Sequence, residues 1–553
     1  MHIGLAQCNF RIGDIEGNKT RMLECLKRAQ QEELDLLVFS ELSICGYPPR
    51  DLLEFDDFIL ECKAAMEELA ASATRTAILM GGPTFNPSSF GKRLHNAAFL
   101  LFGGSVDQVC EKSLLPNYDV FDEARYFEAG NRIGMFVLKG IPMGVTICED
   151  IWEEAQTEAS PEAGRKLYGQ SAIARFEGKK IRALINLSAS PFHYQQAENR
   201  MEVLQRVAMR LKVPVIYVNQ VGAHAELIFD GGSQAVDAQG QLLLQLPYFE
   251  EALAHISLTT PMPLPLENLR PEPAERIRKA LVMGISDYFK KMGFERAVLG
   301  LSGGIDSALV CALAVQALGK ERVTALLLPS RFSSEHSISD SLQLVRTLGC
   351  QHHIVSIEPL FEGSLRTMEP YFKDLPQNLA EENMQARARG LILMAWTNKF
   401  NALLLNTTNK SEVAVGYGTL YGDLCGAISV IGDLYKTQVY ALAQHLNQRG
   451  NSIPQNVITK APSAELRPNQ KDTDSLPDYE TLDPLLFQYI ECRKSARELV
   501  QQGFDADMVK RILSLVNRNE YKRAQTPPIL RVSPKAFGAG RKMPIVADFR
   551  PIN

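Results

Sequence analysis

Five prolines crowd the middle of the chain, at positions 261, 263, 265, 271 and 273. Proline fixes φ and lacks a backbone N–H, so prolines at this density exclude both a helix and a central strand. They predict a semi-rigid, extended connector over residues 259–274. The chain has 553 residues, too many for one compact unit at roughly 100–200 residues per domain. We therefore predict one domain over residues 1–258 and a second over residues 275–553.

The composition excludes several classes of protein. Hydrophobic residues make up 45% and charged residues 22% of the chain, as in globular proteins rather than disordered tails or collagen-like fibres. The net charge of −5 provides no basic field, so we expect no nucleic-acid partner. No apolar run approaches the ~20 residues of a transmembrane helix, so we expect no membrane partner.

The ten cysteines are scattered, with neither Cys-x-x-Cys nor a Cys/His ligand spacing, which argues against structural zinc. The first residues, Met1–Gln7, are typical of a strand rather than of an export signal. Because free thiols persist in reducing compartments, we expect a cytoplasmic protein.

On both sides of the prolines, short β-branched runs alternate with stretches of helical periodicity, a pattern typical of layered α/β folds. In the first half the predicted strands are Ile3–Cys8, Leu36–Ser40, Ala77–Gly81, Ala97–Phe102, Gly144–Cys148, Ala183–Leu187 and Pro214–Asn219, and the predicted helices are Asn18–Glu33 and Ala197–Leu211. In the second half the predicted strands are Ala297–Leu301, Val323–Leu328 and Leu403–Asn406, and the predicted helices are Ala308–Leu318, Ser337–Leu348 and Met384–Lys399. The second half therefore predicts a doubly wound parallel sheet.

The most specific motif is the glycine-rich turn within Leu299–Ala308. An apolar strand runs into Ser302-Gly303-Gly304, and Asp306-Ser307 then opens a helix. Glycines let the backbone approach an anion, and a helix N-terminus offers unpaired N–H groups, so this turn predicts a phosphate site. A tight turn with a good N-cap is the simpler alternative. The Walker spacing of P-loop proteins is absent. No Gly-x-Gly-x-x-Gly follows a strand either, which disfavours Rossmann dinucleotide binding.

The turn resembles the loop of the N-type ATP pyrophosphatases, which split ATP between its α- and β-phosphates and adenylate an acyl group. Downstream, Asn406–Glu412, Gly418–Asp423 and Gly432–Lys436 resemble segments of NAD synthetases. The resemblance implies a Rossmann-like fold, the substrates ATP and deamido-NAD, a loop around 425–433 that closes over the substrate, and Mg²⁺ held by Asp306 and Glu412. The implied ATP contacts are Gly300, Leu301, Ser302, Gly303, Gly304, Ile305, Asp306, Ser307 and Thr407, and the implied deamido-NAD contacts are Asn383, Glu412 and Lys522.

In the first half, three segments each hold a residue suited to amide hydrolysis. Glu41 stands at the end of a predicted strand, Lys112 precedes a proline-interrupted loop, and Cys148 ends a buried strand. A thiol is a useful nucleophile only as thiolate, so it needs a cation and a base nearby. Lys112 could supply the cation and polarise an oxyanion, with Glu41 as the base. Taken singly, each residue is more often plain core or surface.

In this order the three residues resemble the triad of nitrilase-type amidohydrolases, and Asn186–His193 and Phe229–Ser233 match that family too. The resemblance implies a four-layer αββα sandwich and names Glu41, Lys112 and Cys148 as catalytic. Cys45 is the competing nucleophile, but it lies in a Gly-Tyr-Pro-Pro loop, whereas Cys148 fits the family. The implied glutamine contacts are Tyr118, Ser190 and Gln196, the last at a position where related sequences tend to carry a basic residue.

Together the two halves resemble the family of glutamine-dependent NAD synthetases. This implies that ammonia from glutamine amidates an adenylated nicotinate carboxylate along an enclosed path, and that the protein is a homo-oligomer. Two alternatives stay open: another amidotransferase of the same ATP superfamily, and a catalytically idle sensor of nucleotide or glutamine. A sensor without catalytic activity would be expected to lack at least one of the four key residues. The chain contains all of them, Glu41, Lys112, Cys148 and Asp306.

Overall fold

The computed structural model describes residues 1–154, 167–169, 171–259, 271–450, 452–463, 465–467, 470 and 472–549. The chain separates into two compact units, Met1–Pro271 and Glu272–Asn553. Most of the proline connector predicted over 259–274 lies outside the described residues, so the domain boundaries stay a prediction. Among the described helices, none has both the length and the apolar character needed to cross a membrane.

The first unit contains two six-stranded sheets, in the orders β14-β1-β2-β3-β4-β5 and β13-β12-β9-β8-β7-β6, and a two-stranded ribbon of β10 and β11. Its elements are β1 His2–Gln7, α1 Ile15–Gln31, β2 Leu36–Val38, α2 Asp56–Ser72, β3 Ala77–Phe85, β4 Leu94–Phe102, β5 Ser105–Glu111, β6 Gly134–Leu138, β7 Ile141–Ile147, β8 Leu184–Ser188, α3 Gln196–Leu211, β9 Val215–Asn219, β10 Val221–His224, β11 Leu227–Asp230, β12 Gln234–Val236, β13 Leu242–Gln245 and β14 Ala252–Ser257.

The two sheets pack face to face because the inward side chains of their strands form one apolar layer. Leu5 and Val38 of the first sheet share this layer with Ile147 and Ile185 of the second. Successive side chains of a strand point to opposite faces of the sheet. In both sheets the outward-facing side chains are also apolar. Helices α1 and α2 cover the outer face of the first sheet, and α3 covers that of the second. The predicted αββα sandwich is confirmed.

The second unit contains a five-stranded, wholly parallel sheet in the order β17-β16-β15-β18-β19. The strand order reverses between β15 and β18, and ligands of open α/β sheets bind at such a switch point. The doubly wound sheet is confirmed. The elements are α4 Pro273–Met292, β15 Arg296–Gly300, α5 Ile305–Leu318, β16 Val323–Leu327, α6 Glu335–Leu348, β17 Gln351–Ile354, α7 Glu358–Phe372, α8 Leu379–Phe400, β18 Ala402–Asn406, α9 Lys410–Val415, β19 Ile428–Ser429, α10 Lys436–Gln448, α11 Gln455–Thr459, α12 Tyr479–Ile490, α13 Ala496–Gln501, α14 Ala506–Arg518 and α15 Glu520–Arg523.

Every predicted strand and helix overlaps an observed one, with shifted ends. Two shifts matter for the site: β2 ends at Val38, so Glu41 lies in the turn beyond it, and Cys148 begins a 3₁₀ turn, Cys148–Glu154, rather than ending β7. Several observed elements, among them α2, β5, β6 and β10 to β14, were not predicted. Strand β17 is another, because its four residues are all exposed and form no apolar run.

Candidate active sites

A buried ion-pair cluster lies at the ends of β2 and β5. Glu41 and Lys112 are both fully buried, with an exposed fraction of 0%. Lys112 Nζ lies 2.8 Å from Glu41 Oε1 and 2.7 Å from Glu123 Oε1. Burial by itself would lower the pKa of Lys112, but the Glu123 and Glu41 carboxylates outweigh it and hold that pKa well above its usual range. The lysine therefore stays a cation inside the protein.

Glu123 is a member of this cluster that the sequence analysis missed. Its carboxylate accepts a hydrogen bond of 2.8 Å from the Tyr47 hydroxyl as well as the one from Lys112. Burial raises the pKa of Glu123 to about 7, and Glu41 adds to the rise while Lys112 opposes it. No local pattern in the sequence separates this residue from other loop carboxylates. Only its tertiary neighbours identify it.

The structure brings Cys148 to the same cluster. Ala189 links the two, because its backbone N–H donates to Glu41 Oε2 at 3.1 Å and the same backbone group acts to lower the pKa of the Cys148 thiol. Burial, with Glu41, raises the pKa of Cys148 well above its usual range, and Lys112 acts in the opposite direction. A neutral thiol thus faces a carboxylate that can take its proton and a cation that can stabilise the resulting charge.

Asp150 ties the loop after Lys112 to the turn that contains Cys148. Its Oδ1 accepts the backbone N–H groups of Ser113 and Leu114 at 3.0 and 2.9 Å, and its Oδ2 accepts that of Ile147 at 3.0 Å. Burial raises the pKa of Asp150 to about 6, although these N–H donors act against the rise. One buried carboxylate therefore fixes the separation of the two segments.

Cys45 has a different environment. It is buried, its thiol donates to the Leu42 carbonyl at 3.5 Å, and burial and the Cys62 thiol raise its pKa. The surroundings of Cys45 are those of a core thiol.

The three residues predicted to bind glutamine lie beside this cluster. The Tyr118 hydroxyl donates to both carboxylate oxygens of Glu149, at 2.9 and 3.0 Å, and Glu149 directly follows Cys148. Gln196 Nε2 donates to Ser190 Oγ at 2.9 Å, and Ser190 directly follows Ala189. The structure thus brings together every residue predicted for this site.

In the second unit, the predicted phosphate loop joins β15 to α5. Gly303 has φ +82°, and a Cβ atom there would lie 2.4 Å from the Ser337 carbonyl oxygen, so the backbone path requires glycine. Ser302 Oγ accepts the Gly304 N–H at 3.2 Å, and Ser307 Oγ accepts the Ser302 N–H at 3.2 Å. Thr407 directly follows β18, the neighbouring strand at the switch point.

Two carboxylates, Asp306 and Glu412, share one lysine beside this loop. Lys436 Nζ pairs with Asp306 Oδ2 and lies 3.6 Å from Glu412 Oε1. Burial and the Asp306 charge raise the pKa of Glu412 to about 8, so ionising Glu412 beside Asp306 is costly unless a further cation is bound. A hard divalent cation suits such oxygens. Among the described residues no three His, Cys, Asp or Glu side chains group as a complete metal site, so such a cation would need further oxygens, for example from phosphate.

The predicted deamido-NAD contacts Asn383 and Lys522 meet around residues 416–419. Asn383 Oδ1 accepts from the Thr419 hydroxyl at 2.7 Å, and Lys522 Nζ donates to the Gly416 and Gly418 carbonyls at 2.7 and 2.8 Å. Burial lowers the pKa of Lys522.

The loop expected to close over the substrate, around 425–433, differs from that expectation. It contains β19, which pairs with β18. Its Asp433 carboxylate is buried and accepts the backbone N–H groups of Val532 and Ser533 at 2.8 and 2.6 Å. These bonds make the segment part of the sheet rather than a free lid.

The carbon-nitrogen hydrolase family model matches residues 2–261, and the NAD synthase family model matches residues 277–526. The chain is 44% identical to a glutamine-dependent NAD(+) synthetase of Synechocystis over 99% of each chain. It is 38% identical to that of Thermotoga maritima, over 100% of this chain and 99% of the relative.

Two solved structures cover nearly the whole chain. The glutamine-dependent NAD+ synthetase from Acinetobacter baumannii, in complex with ADP, is 36% identical with a TM-score of 0.77, over 98% of both chains. The enzyme from Cytophaga hutchinsonii is 21% identical, with a TM-score of 0.83 over 99% of this chain and 98% of that one, and shows the shared fold. With both family models and full-length relatives in agreement, this chain belongs to the glutamine-dependent NAD(+) synthetases, a family of ligases.

Proposed function

We propose that this protein amidates deamido-NAD to NAD at the expense of ATP, using ammonia released from glutamine and producing AMP and pyrophosphate. The observation that carries the proposal is the buried Lys112 ammonium between Glu41 and Glu123, beside the Cys148 thiol. Burying a cation and two carboxylates is costly. A purely structural core would be expected to avoid this arrangement next to a cysteine.

In the first unit, Cys148 attacks the side-chain amide carbon of glutamine, and Glu41 accepts the thiol proton and returns it to the departing ammonia. Lys112 stabilises the oxyanion of the tetrahedral intermediate. A glutamyl thioester remains, and water activated by Glu41 hydrolyses it to glutamate. Tyr118, Ser190 and Gln196 hold the glutamine.

In the second unit, the nicotinate carboxylate of deamido-NAD attacks the α-phosphorus of ATP, and pyrophosphate leaves. The backbone N–H groups of 300–307 and the side chain of Thr407 hold the ATP. Asn383, Glu412 and Lys522 hold the deamido-NAD. Ammonia then attacks the adenylated carbonyl carbon, and AMP leaves with the carboxylate oxygen.

Asp306 and Glu412 would hold Mg²⁺, which when bound neutralises charge on the phosphates. The position of both carboxylates around the single Lys436 ammonium supports this assignment. The homo-oligomer and the cytoplasmic location stay predictions from the sequence.

The experiment compares Cys148→Ala with Cys45→Ala, measuring NAD formed from glutamine and from high ammonium. Cys148→Ala should lose glutamine-dependent synthesis, because no thioester can form, and keep ammonium-dependent synthesis. Cys45→Ala should keep both activities.

Two results would contradict the proposal. One is a Cys148→Ala enzyme that still uses glutamine, and the other is a folded Cys45→Ala enzyme that selectively loses glutamine use. If the wild-type protein formed no NAD from either nitrogen source, the proposed reaction itself would be wrong.

A further inference from the structure

Asn409 is a buried amide that contacts both of the carboxylates proposed to hold Mg²⁺. Its exposed fraction is 0%. Its Nδ2 donates to Asp306 Oδ1 at 2.9 Å. Its Oδ1 accepts the backbone N–H of Glu412 at 3.0 Å, and its own backbone N–H donates to Glu412 Oε2 at 3.2 Å. One residue therefore connects two carboxylates that come from different segments of the chain.

The partners of Asn409 determine the orientation of its side-chain amide. The backbone N–H of Glu412 can donate only to an oxygen, so the carbonyl side of the amide must face it. The NH₂ side then faces Asp306. An ionised aspartate in place of Asn409 could accept from Glu412 but could not donate to Asp306. The position thus uses both the acceptor and the donor of an amide.

The first turn of α9 holds the backbone of Asn409 in place. The next residue, Lys410, is fully buried. Its Nζ lies 2.9 Å from Asp433 Oδ1 and 2.8 Å from Glu491 Oε1, and it donates to Ser533 Oγ at 2.8 Å. Three distant segments of the second unit therefore fix the start of this helix, directly after the strand at the switch point.

We propose that Asn409 is a positioning residue that holds Asp306 and Glu412 in the arrangement that receives Mg²⁺ together with ATP. The inference rests on the proposed function, in which these two carboxylates hold the cation. A carboxylate has about four lone-pair sites, so Asp306 can accept from Asn409 and Lys436 and still bind a cation. Hydrogen bonds to metal-binding carboxylates orient them, and their loss typically costs ~10–10² in metal affinity.

The alternative is a structural role, in which Asn409 only caps α9. The structure contains a second asparagine that does this. Asn378 begins α8, where its Oδ1 accepts the Ala380 N–H at 2.8 Å and its backbone N–H donates to Glu381 Oε2 at 2.8 Å. Asn378 is exposed, whereas Asn409 is buried against Asp306. The two roles differ in one measurable quantity, the effect of Mg²⁺ on nucleotide binding.

The experiment measures the affinity of the full-length protein for α,β-methylene-ATP by calorimetry, with Mg²⁺ and with EDTA in its place. The methylene bridge prevents release of pyrophosphate, so the readout is binding rather than turnover. Wild type should bind the analogue more tightly with Mg²⁺ than in EDTA. Asn409→Ser keeps an oxygen that can cap the helix but loses the amide donor. In this variant the gain in affinity from Mg²⁺ should fall by ~10–10², while the affinity in EDTA should stay close to that of wild type.

Asn378→Ser is the matched control, because it makes the same exchange at the start of α8, and it should leave the gain from Mg²⁺ unchanged. Asn409→Thr repeats the test with another N-cap residue if Asn409→Ser fails to fold. An unchanged gain from Mg²⁺ in the Asn409 variants, or an equal loss of affinity in EDTA, would overturn the inference. A wild type whose affinity does not depend on Mg²⁺ would instead refute the assignment of Asp306 and Glu412 to the cation.

Discussion

The Cα atom of Glu41 lies 2.8 Å from the place that a Cβ atom on Gly81 would occupy. The Leu42 nitrogen would be closer still, at 2.4 Å, so strand β3 passes directly against the turn that presents the candidate base. The Gly81 N–H also donates to the Ser40 carbonyl at 3.2 Å. The position of the Glu41 carboxylate therefore depends on a glycine forty residues away in the next strand.

Gly81→Ala should destabilise the first unit and abolish its glutaminase activity. The new methyl group would meet backbone atoms, which cannot move aside as a side chain does, so we expect a loss of ~3 kcal/mol or more, the upper end of overpacking costs. The measurements are urea unfolding and ammonia release from glutamine.

Gly82→Ala is the matched control, because its Cβ atom would meet the Met66 sulfur at 3.2 Å and other side chains only. An equal loss in both variants would contradict this account of Gly81.

Glu41→Gln should reduce glutaminase turnover by ~10²–10⁴, since the amide keeps the size of the side chain but cannot accept a proton. Folding should survive, because Lys112 keeps its bond to Glu123. Ammonium-dependent NAD formation should stay at the wild-type rate. The control is Glu54→Gln, which changes an exposed carboxylate in the same way. A fully active Glu41→Gln enzyme would show that Glu41 takes no part in the mechanism.

Gly303→Ala should prevent NAD formation from glutamine and from ammonium alike, while glutamine hydrolysis continues. At φ +82° alanine pays ~1–2 kcal/mol in backbone strain, and its methyl group would also overlap the Ser337 carbonyl. Gly304→Ala is the control next to it, where a Cβ atom would meet only Ser302 Oγ, at 3.3 Å. If Gly303→Ala and Gly304→Ala lost NAD formation to the same extent, the backbone conformation of Gly303 would not explain the loss.

Asp306→Ala should abolish pyrophosphate release with either nitrogen source. The carboxylate that would help to hold magnesium is lost, so charge on the phosphates is no longer neutralised. Glutaminase activity measured alone should persist. Near-normal NAD formation by this variant would show that the loop has another role.

The stability of the first unit should fall as the pH rises from about 4.5 to about 7, and Glu149 should contribute to this slope. Burial raises the pKa of Glu149 to about 7, whereas the unfolded chain releases this proton near its ordinary pKa. Between these values the folded state binds more protons, so stability is present below this range and is lost as the pH rises through it.

Glu149→Gln should therefore flatten the slope by up to about 1.4 kcal/mol per pH unit. The measurement is urea unfolding at several pH values, with Glu54→Gln as the control. An unchanged slope in Glu149→Gln would mean that this carboxyl keeps an ordinary pKa in the folded protein.

The features predicted correctly from sequence are those encoded within a few residues. The turn at 300–307 is one, because the strand, the glycines and the start of the helix are contiguous. The layered fold is another, since period-2 and period-3.6 patterns repeat along both halves. The triad of Glu41, Lys112 and Cys148 stays a prediction from the resemblance to a known family, because nothing local to each residue distinguishes it from a core or surface residue.

Glu123, Glu149 and Lys436 became candidates only through the tertiary structure. Burial raises the pKa values of Glu123 and Glu149, whereas the Asp306 and Glu412 carboxylates raise the pKa of Lys436 against the effect of its burial. The pairing of β14 with β1 also depends on the tertiary structure, because these antiparallel strands come from opposite ends of the first unit's sequence. The amino-acid sequence thus determined which chemical groups are present and which short turns they form. The packing of strands distant in sequence decided which groups meet, because desolvation and charge pairing depend on distances in space.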